Sequence, residues 1–509
     1  MLVAVGVAAG TVALFVLPEV GATAQASAGA ALSPRLAPAR CPVQFPANLR
    51  VDCSELVVPE DRGRPRGGRV RLPVAVVHSQ SSTPRPDPIV FIVGGPAINE
   101  IDPATAEALA GLPFARQRDI VLYNQRGVGF ARPRLGCPEF DRVRAAAFPR
   151  DASRRRWLAA VGACRRRLAR NGVQLDAYNA AQDAADLDDL RSVLLGRGRW
   201  NVYALSAGAL IGVTTLRLRP GGIRSMILDS PLGTTFKLRG PDIWRSSNRT
   251  LDKVFAGCAA DVRCDSAHRG LRARFYRRIH TLRRRPAAVG LPLAGGGVFP
   301  RLIDGDQLLH DAAACAGDPF CAPGLPSRLE VAASGGVDGY YAGALLTPPT
   351  PRDARTSEGK AAVSRCHDQI AFERDSELDA AARELPEWRA HLRTLRFIYI
   401  PQVTKAACRV WRVGRAPRAQ HRRVVSPVPA LVLAGEWDGT VWPREGRKIA
   451  RGLSHSFFFE FPGIGHATIS YARIGRDCPA LIAAAFVQSP RIRPASACVA
   501  NMHELSFSP

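Results

Sequence analysis

Three apolar segments of this chain each run into a residue that can take part in nucleophilic catalysis, and the order of these residues constrains the fold more than any other feature. The segments are Trp200–Gly208, Pro429–Asp438 and Phe457–His466. Each is typical of a buried strand, and together they supply Ser206, Asp438 and His466 in that order. A serine hydroxyl is a weak nucleophile until an imidazole accepts its proton and a carboxylate orients that imidazole. Because α/β sheets place their active sites beyond the carboxyl ends of parallel strands, we expect these side chains to meet at one sheet edge.

Short apolar runs bounded by turn residues alternate with helix-like stretches in the first half of the chain. The runs that suit buried parallel strands are Ile89–Val93, Ile120–Tyr123, Trp200–Leu205 and Ser225–Leu228. Arg69–Val77 suits an earlier antiparallel strand, and Ala181–Leu195 has the apolar spacing of three and four residues that indicates a helix. The alternation predicts an α/β fold with a doubly wound, mostly parallel sheet.

This alternation breaks in an Arg-rich stretch of helical character and resumes at the strand that leads to Asp438. We therefore expect a helical lid inserted before the acid-bearing strand. The predicted organisation is a signal peptide at 1–28, an N-terminal part of the core at 41–235, the lid at 236–423 and a C-terminal part of the core at 424–509.

The N-terminus has the pattern of a secretory signal. Leu2–Leu17 is apolar but short for a membrane span, and small residues follow it up to Ala28, where cleavage is expected. No Lys or Arg precedes the apolar run, which leaves open a start further upstream or an uncleaved anchor. The pattern predicts a secreted or periplasmic protein with no stable membrane span.

The chain contains 12 cysteines, and an even count beside a signal peptide indicates disulfides. The sequence does not fix their connectivity, so pairing between nearest neighbours is a hypothesis. The neighbouring pairs are Cys41 and Cys53, Cys137 and Cys164, Cys258 and Cys264, Cys315 and Cys321, Cys366 and Cys408, and Cys478 and Cys498. No two pairs show the matched CxxC spacing of a zinc site, so no metal is expected.

The formal charge of +26 raises the alternative of a nucleic-acid-binding protein. The arginine runs come without an aromatic stacking platform or a docking motif, so we expect solvated helix faces and no nucleic-acid partner. Loose association with an anionic cell envelope stays open.

Small residues surround Ser206, as a sharp turn from strand into helix requires, although Ala204 stands where the GxSxG pattern has its first glycine. Gly94-Gly95-Pro96 follows another predicted strand, and glycines there let backbone N–H groups approach a substrate carbonyl. We expect the N–H groups of Gly95 and Ala207 to form the oxyanion hole.

Two acids compete for the role of orienting the imidazole. Asp438 is favoured because its loop is the last before the strand that leads to His466, whereas Asp229 follows the preceding strand and also suits a turn or helix cap. His466 lies in a glycine turn at the end of a strong late strand, where a histidine can be positioned for proton transfer.

Several further segments match a known family. They are Ser54–Asp61, Gly94-Gly95-Pro96, Asn124–Gly129 with Pro133, Cys137-Pro138-Glu139, Tyr203–Gly208, Cys366-His367-Asp368, Cys408–Trp411, Gly435–Pro443 and Gly465-His466. Through these segments the chain resembles the α/β-hydrolase peptidases of the S33 type, specifically the secreted tripeptidyl-aminopeptidase-like proteins with a TAP-like C-terminal region. The resemblance runs through nearly the whole mature chain.

The chain departs from this family at a few positions around the predicted site. They are Val93 for His, Ala97 for Gly, Asn124 for Asp, Ala204 for Gly, Ala207 for Tyr and Trp442 for Thr. None of these changes removes a predicted catalytic group, so they bear on substrate preference and rate.

The resemblance implies an exported serine aminopeptidase that acts on peptide substrates without a metal or organic cofactor. Such an enzyme needs an anion for the substrate's α-ammonium, and Asp368 and Glu436 are candidates, with a surface or structural role as the alternative for each. A carboxylesterase with the same triad stays open. So does a non-catalytic envelope-binding relic, although the presence of all three triad residues argues against it. The natural substrate and the oligomeric state are not predicted.

Overall fold

The computed structural model describes residues 33–95, 97–144, 150–238, 241–292, 298–341, 356–390, 392 and 404–508. The predicted signal peptide at 1–28 and Pro96 of the Gly94-Gly95-Pro96 segment lie outside these residues.

Strands β1–β7 and β10–β11 form the main sheet, and β8 and β9 form a separate hairpin. The strands are β1 (Arg35–Pro38), β2 (Val51–Pro59), β3 (Arg69–Val77), β4 (Ile89–Ile92), β5 (Ile120–Tyr123), β6 (Trp200–Leu205), β7 (Ile223–Asp229), β8 (Ala287–Pro292), β9 (Val298–Ile303), β10 (Ala430–Gly435) and β11 (Ser456–Phe461). The sheet order is β1-β2-β3-β5-β4-β6-β7-β10-β11. The pairs along β1-β2-β3-β5 are antiparallel, and all the other neighbours are parallel. The mostly parallel α/β sheet expected from the sequence is confirmed.

Helices cover both faces of this sheet and fill the segment between β7 and β10. They are α1 (Pro103–Ala110), α2 (Asp141–Arg144), α3 (Arg150–Arg170), α4 (Ala180–Leu195), α5 (Gly208–Leu218), α6 (Pro241–Ala260), α7 (Val262–Ala267), α8 (Leu271–Arg284), α9 (Gly305–Ala316), α10 (Leu325–Ala333), α11 (Val337–Tyr341), α12 (Glu358–Asp368), α13 (Asp375–Glu384), α14 (Lys405–Trp411), α15 (Pro443–Ala450), α16 (Cys478–Gln488) and α17 (Ala497–Ala500).

The central strands are apolar on both faces because alternate side chains point into different cores. In β6, Val202 and Ala204 join the core under α3, α4 and α5, whereas Tyr203 joins the opposite core under α16. Burial on both faces explains why β4, β5 and β10 are continuous apolar runs in the sequence.

The segment between β7 and β10 has an apolar core of its own, to which Leu251, Ile279 and Leu309 contribute. Helices α12 and α14 are different, because they place Val363 and Trp411 in the core of the main sheet. The hairpin β8–β9 is an addition to the helical lid that the sequence predicted; Gly290 and Pro292 are poor strand formers and conceal it. The lid boundaries at 236–423 stay a proposal.

Six disulfides join the cysteines of the described residues in the neighbouring pairs of the hypothesis above. The pairs are Cys41–Cys53, Cys137–Cys164, Cys258–Cys264, Cys315–Cys321, Cys366–Cys408 and Cys478–Cys498. Within the described ranges, no helix is both long and apolar enough to cross a membrane.

Candidate active site

Ser206 lies at a strained turn between β6 and α5. Its φ of +54° falls in the left-handed region, which non-glycine residues rarely adopt. The Ser206 N–H donates to the Asp229 carbonyl oxygen at 2.8 Å, and the Ser206 carbonyl accepts from the Leu232 N–H at 3.1 Å. The end of β7 and the loop after it therefore hold the turn, which presents the Ser206 side chain at the carboxyl edge of the sheet.

The end of β4 packs directly against this turn, which explains the glycines there. A Cβ at Gly94 would lie 2.6 Å from the Ser206 Cβ, and a Cβ at Gly208 would lie 2.6 Å from the Val93 carbonyl oxygen. Ala204 is accommodated in place of the expected glycine because it faces Gly212 of α5, where a Cβ would lie 3.0 Å from the Ala204 Cβ. The departure at this position therefore changes packing and leaves the turn intact.

A continuous chain of hydrogen bonds joins the three residues predicted to act together. His466 Nε2 lies 2.8 Å from Ser206 Oγ, and His466 Nδ1 lies 2.7 Å from Asp438 Oδ2. With the imidazole proton on Nδ1, His466 donates to Asp438 and its Nε2 accepts from the Ser206 hydroxyl. This is the geometry that a serine nucleophile needs for removal of its proton.

Asp438 is fully buried, and its second oxygen is fixed by its own loop. Asp438 Oδ1 accepts from the Thr440 N–H at 2.8 Å and from the Val441 N–H at 2.7 Å. These bonds leave Oδ2 facing His466, so the carboxylate has little freedom to rotate away.

The surroundings of His466 favour its protonated form. Burial disfavours the charged imidazolium, but the negative charge of Asp438, its hydrogen bond and the more distant charge of Asp229 outweigh burial and raise the pKa of His466. A histidine of raised pKa is a stronger base toward the serine hydroxyl at neutral pH.

Asp229, the rival acid, holds the segment that follows His466 and does not contact the imidazole. Its Oδ1 accepts from the Thr468 N–H and hydroxyl, both at 2.8 Å, and its Oδ2 accepts from the Ile469 N–H at 3.1 Å. The neighbouring Ser230 Oγ accepts from the Ala467 N–H at 3.0 Å. Asp229 therefore positions the histidine loop, whereas Asp438 faces the ring.

The predicted oxyanion donors lie on two different elements. Ala207 is the N-cap residue of α5, so its N–H precedes the hydrogen bonds of the helix and can point to a ligand. Gly95 lies in the loop after β4, and Arg365 Nη2 donates to its carbonyl oxygen at 3.1 Å. Arg365 thus fixes the loop from the side of α12.

Arg365 is a residue that the sequence analysis missed. It lines a narrow cavity of about 30 Å³ together with Ala207 and Asp368. Removal from water lowers the pKa of Arg365 to about 10, and no carboxylate of the described residues forms an ion pair with it. The only signal in the sequence is its place next to Cys366, because arginines are frequent throughout the chain.

A buried polar cluster beside the loop after β4 explains Asn124. The family that the chain resembles has Asp at this position. Asn124 Nδ2 donates to Asn99 Oδ1 at 2.6 Å, and Asn124 Oδ1 accepts from the Phe130 N–H at 2.8 Å. Glu100 is fully buried beside them, and burial raises its pKa to about 8. An aspartate at 124 could not donate to the Asn99 oxygen, so the amide suits this cluster.

The two acids suggested for the substrate ammonium both have protein partners. Asp368 Oδ2 accepts from the Ala180 N–H at 2.9 Å, and its Oδ1 lies 2.7 Å from His367 Nδ1. Glu436 forms an ion pair with Lys253 of α6 and accepts from the Gly463 N–H. Glu436 therefore ties α6 to the core, whereas Asp368 also lines the narrow cavity beside Ala207.

Cys137, Glu139 and Cys164 are the one group within the described ranges whose atoms come close enough to share a metal ion. The two cysteines form a disulfide, and Glu139 forms an ion pair with Arg167. A thiolate site needs free sulfur ligands, so this group does not fit a metal.

A family model described as the alpha/beta hydrolase fold matches residues 87–286. The tripeptidyl aminopeptidases of Streptomyces coelicolor and Streptomyces lividans are each 26% identical to this chain over 220 residues, which is 41% of the chain and 39% of each relative. The match therefore spans well under half the length of these relatives.

Among solved structures, a proline iminopeptidase of Mycobacterium smegmatis is 15% identical with a TM-score of 0.38, over 86% of this chain and 98% of that one. An esterase of Thermogutta terrifontis is 11% identical with a TM-score of 0.35, over 84% and 96%.

Proposed function

We propose that this chain, which has the α/β-hydrolase fold and is distantly related to the Streptomyces tripeptidyl aminopeptidases, is an exported serine hydrolase that removes residues or short peptides from peptide N-termini. The observation that carries the hydrolase proposal is the hydrogen-bonded series from Ser206 through His466 to Asp438, with distances of 2.8 and 2.7 Å. A non-catalytic relic would not need to keep this geometry. The geometry therefore favours an active enzyme over a binding protein.

In the proposed reaction, Ser206 Oγ attacks the substrate carbonyl carbon while His466 Nε2 accepts the hydroxyl proton. The N–H groups of Gly95 and Ala207 stabilise the oxyanion, and Asp438 stabilises the imidazolium. His466 then donates its proton to the leaving amine as the C–N bond breaks. Water, deprotonated by the same imidazole, then attacks the acyl carbonyl. The C–O bond to Ser206 breaks, and Ser206 Oγ takes the proton back from His466.

The distant relation to tripeptidyl aminopeptidases supports peptides with a free N-terminus as substrates. Asp368 is the proposed partner of the ammonium because it lines the cavity beside Ala207. Its two bonds to the protein leave some of the roughly four acceptor positions of a carboxylate unused. A cavity of about 30 Å³ admits a group the size of a water molecule or an ammonium.

A carboxylesterase is the second candidate, and the same cavity favours it. Arg365 and Lys360 line the cavity together with Asp183 and Asp368, so the two positive and two negative charges balance. A site without net negative charge attracts an ammonium only weakly. An uncharged acyl group would meet no such limitation.

Hydrolysis of three matched substrates tests the proposal: a free-amine tripeptide anilide, its N-acetylated form and a short acyl ester. We expect the free amine to be cleaved with at least about tenfold higher kcat/KM than the acetylated peptide, as loss of a charged contact predicts. Equal cleavage of the two peptides would remove the aminopeptidase proposal. Cleavage of the ester alone would support the carboxylesterase.

Two variants sharpen this test. Asp368→Asn is expected to weaken cleavage of the free-amine peptide much more than cleavage of the ester, because only the peptide carries an ammonium. Glu436→Gln is the matched control, since its carboxylate is engaged by Lys253. Equal losses on both substrates in Asp368→Asn would indicate a structural role for Asp368.

Export is part of the proposal. Six disulfides are typical of proteins that fold in an oxidising compartment. We expect cell fractionation to recover the protein outside the cytoplasm.

A further inference from the structure

An open cavity of about 650 Å³ adjoins His466, and the proton transfers described above do not account for it. Its walls come from two parts of the chain. Asp318 and Phe320 belong to a loop between α9 and α10, and Tyr471 and Arg473 follow His466 in the core. The cavity therefore lies between the segment that joins β7 to β10, called the inserted segment below, and the loop that carries the predicted base His466.

The loop between α9 and α10 is closed on itself. The Cys315–Cys321 disulfide joins its two ends. The Asp318 N–H donates to the Cys315 carbonyl at 3.0 Å, and the Cys321 N–H donates to the Asp318 carbonyl at 2.9 Å. Asp318 Oδ1 accepts from the Phe320 N–H at 2.9 Å. These constraints give the loop one shape before any ligand binds, which reduces the entropy lost on binding.

The same loop contacts both loops that carry triad residues. A Cβ at Gly439, the residue after Asp438, would lie 2.8 Å from the Gly317 Cα. A Cβ at Gly465, the residue before His466, would lie 2.6 Å from the Pro319 Cδ. The cavity wall is thus fixed relative to the acid and the base, within one residue of each.

The surface that this loop presents is aromatic. The Phe320 side chain is 67% exposed, and its ring stacks on Tyr471 with centroids 5.8 Å apart and planes 7° from parallel. The Tyr471 hydroxyl accepts from the Gly465 N–H at 3.2 Å, which anchors the stack beside His466. Asp318 and Arg473 carry opposite charges on the same walls, so these two residues give the cavity no net charge.

The position of this surface assigns it a role in the proposed reaction, on which the inference rests. His466 must deliver its proton to the leaving nitrogen, so the leaving group has to lie beside the imidazole. We propose that the cavity binds the first residue of the leaving group and prefers an aromatic or large apolar side chain, which packs on the exposed face of Phe320. Phe320 is a specificity-determining residue of this subsite.

The reverse of acylation isolates binding at this subsite. An amino-acid amide in the cavity attacks the carbonyl of the acyl-Ser206 ester with its nitrogen, and His466 accepts the proton that the nitrogen loses. The C–O bond to Ser206 breaks, and Ser206 Oγ takes the proton back from His466. The products are a new peptide bond and free enzyme, so transfer to the amide competes with hydrolysis by water.

The experiment forms the acyl-enzyme from a methyl ester and measures how it partitions between water, phenylalaninamide and alaninamide. At equal concentrations of the unprotonated amines, we expect acyl transfer to phenylalaninamide to exceed acyl transfer to alaninamide by about 3- to 10-fold. This is the range for a favourable aromatic contact. In Phe320→Ala the ratio is expected to fall to about one, and Phe320→Leu is expected to give an intermediate ratio. Because the readout is a ratio within one variant, a general loss of activity cancels.

Ile492→Ala is the matched control. Ile492 is 68% exposed, close to the value for Phe320, and lies beside the N-terminal ends of β7 and β10. It is expected to keep the wild-type ratio. A wild-type ratio near one, or an unchanged preference in Phe320→Ala, would overturn the subsite.

Failure of the proposed function gives a different result. If esters form the acyl-enzyme but peptides are not cleaved, the aminopeptidase proposal fails while the partition ratio still decides about the cavity. If neither forms an acyl-enzyme, the hydrolase proposal and this inference both fall.

Discussion

The two halves of the proposed catalytic machinery are positioned by different kinds of contact. In the proton-transfer half, backbone N–H groups of its own loop fix the Asp438 carboxylate, and Asp229 and Ser230 hold the segment after His466. The segment between β7 and β10 also packs on Gly439 and Gly465, which adjoin the acid and the base. In the oxyanion half, the segment between β7 and β10 forms hydrogen bonds directly to the loop that carries the predicted donor Gly95. The loop after β4 receives the Arg365 side chain on the Gly95 carbonyl and the Ser357 N–H on the Ala97 carbonyl at 3.0 Å.

In the proposed mechanism, the inserted segment therefore helps to position an oxyanion donor. Helix α12 carries Arg365 and is joined to α14 by the Cys366–Cys408 disulfide. A change in α12 should therefore reach the oxyanion donor at Gly95 and leave the Ser206–His466–Asp438 series intact. The predictions below separate the two halves, beginning with the largest expected effect.

Ser206→Ala should abolish turnover of every substrate, because Ser206 supplies the oxygen that forms the proposed acyl intermediate. His466→Ala should lose nearly as much, since the two residues act as a unit. Steady-state assays on variants with a wild-type thermal transition test this. Full activity in a folded Ser206→Ala protein contradicts the assignment of the nucleophile.

Asp438→Asn should lower kcat by about 10³- to 10⁴-fold, because the amide favours the wrong imidazole tautomer. Asp229→Asn should lose far less, since Asp229 contacts the loop after His466 and not the ring. Measurement of kcat for both variants compares the two acids directly. A larger loss in a folded Asp229→Asn protein would show that Asp438 is not the orienting acid.

Arg365→Met should lower kcat by about tenfold, less than the 10²- to 10³-fold lost when an oxyanion donor itself is removed. The reason is that Arg365 positions the Gly95 loop and does not itself contact the oxyanion. Affinity for a boronic acid, which forms a tetrahedral anion on the serine, should fall in proportion to kcat.

Arg409→Met on α14 is the control for this prediction, because Arg409 is exposed and lies next to Cys408. It should match the wild type in both measurements. A decrease in kcat for Arg365→Met with unchanged boronic acid affinity contradicts a role at the oxyanion loop.

The smallest expected effect concerns pH. Only neutral His466 can accept the serine proton, so kcat/KM should fall as the pH decreases through its pKa, which is raised above the ordinary value of 6.5. Asp229→Asn removes a negative charge that raises this pKa, so the acid limb should move to lower pH by less than about one unit. Asp265→Asn, a change at an exposed acid of α7, should leave the limb in place. Movement to higher pH in Asp229→Asn would reverse the sign of the argument.

The sequence predicted the sheet and the grouping of Ser206, Asp438 and His466 because those features depend on local pattern. Each of the three residues follows a buried apolar strand, and the glycines around them mark tight turns and close approaches. The parallel register then brings the strand ends to one edge without further information.

The parts that the sequence did not predict depend on contacts between distant segments. Arg365 meets Gly95 across 270 positions, and nothing distinguishes it within a chain of 70 Lys and Arg residues. Phe320 lies in a short disulfide loop whose packing against Gly439 and Gly465 has no local signature. The ion pair between Glu436 and Lys253 of the inserted segment also joins distant positions and has no signal in the sequence, whereas a substrate-binding role for Glu436 stays a prediction.

The most direct test of the central claim is labelling with a fluorophosphonate, followed by mapping of the modified peptide. The reagent reacts with a serine that a neighbouring base has activated. The account predicts one modified residue, Ser206, with labelling that is lost in Ser206→Ala and strongly slowed in His466→Ala. Labelling of a different residue, or none in the folded wild-type protein, would contradict it.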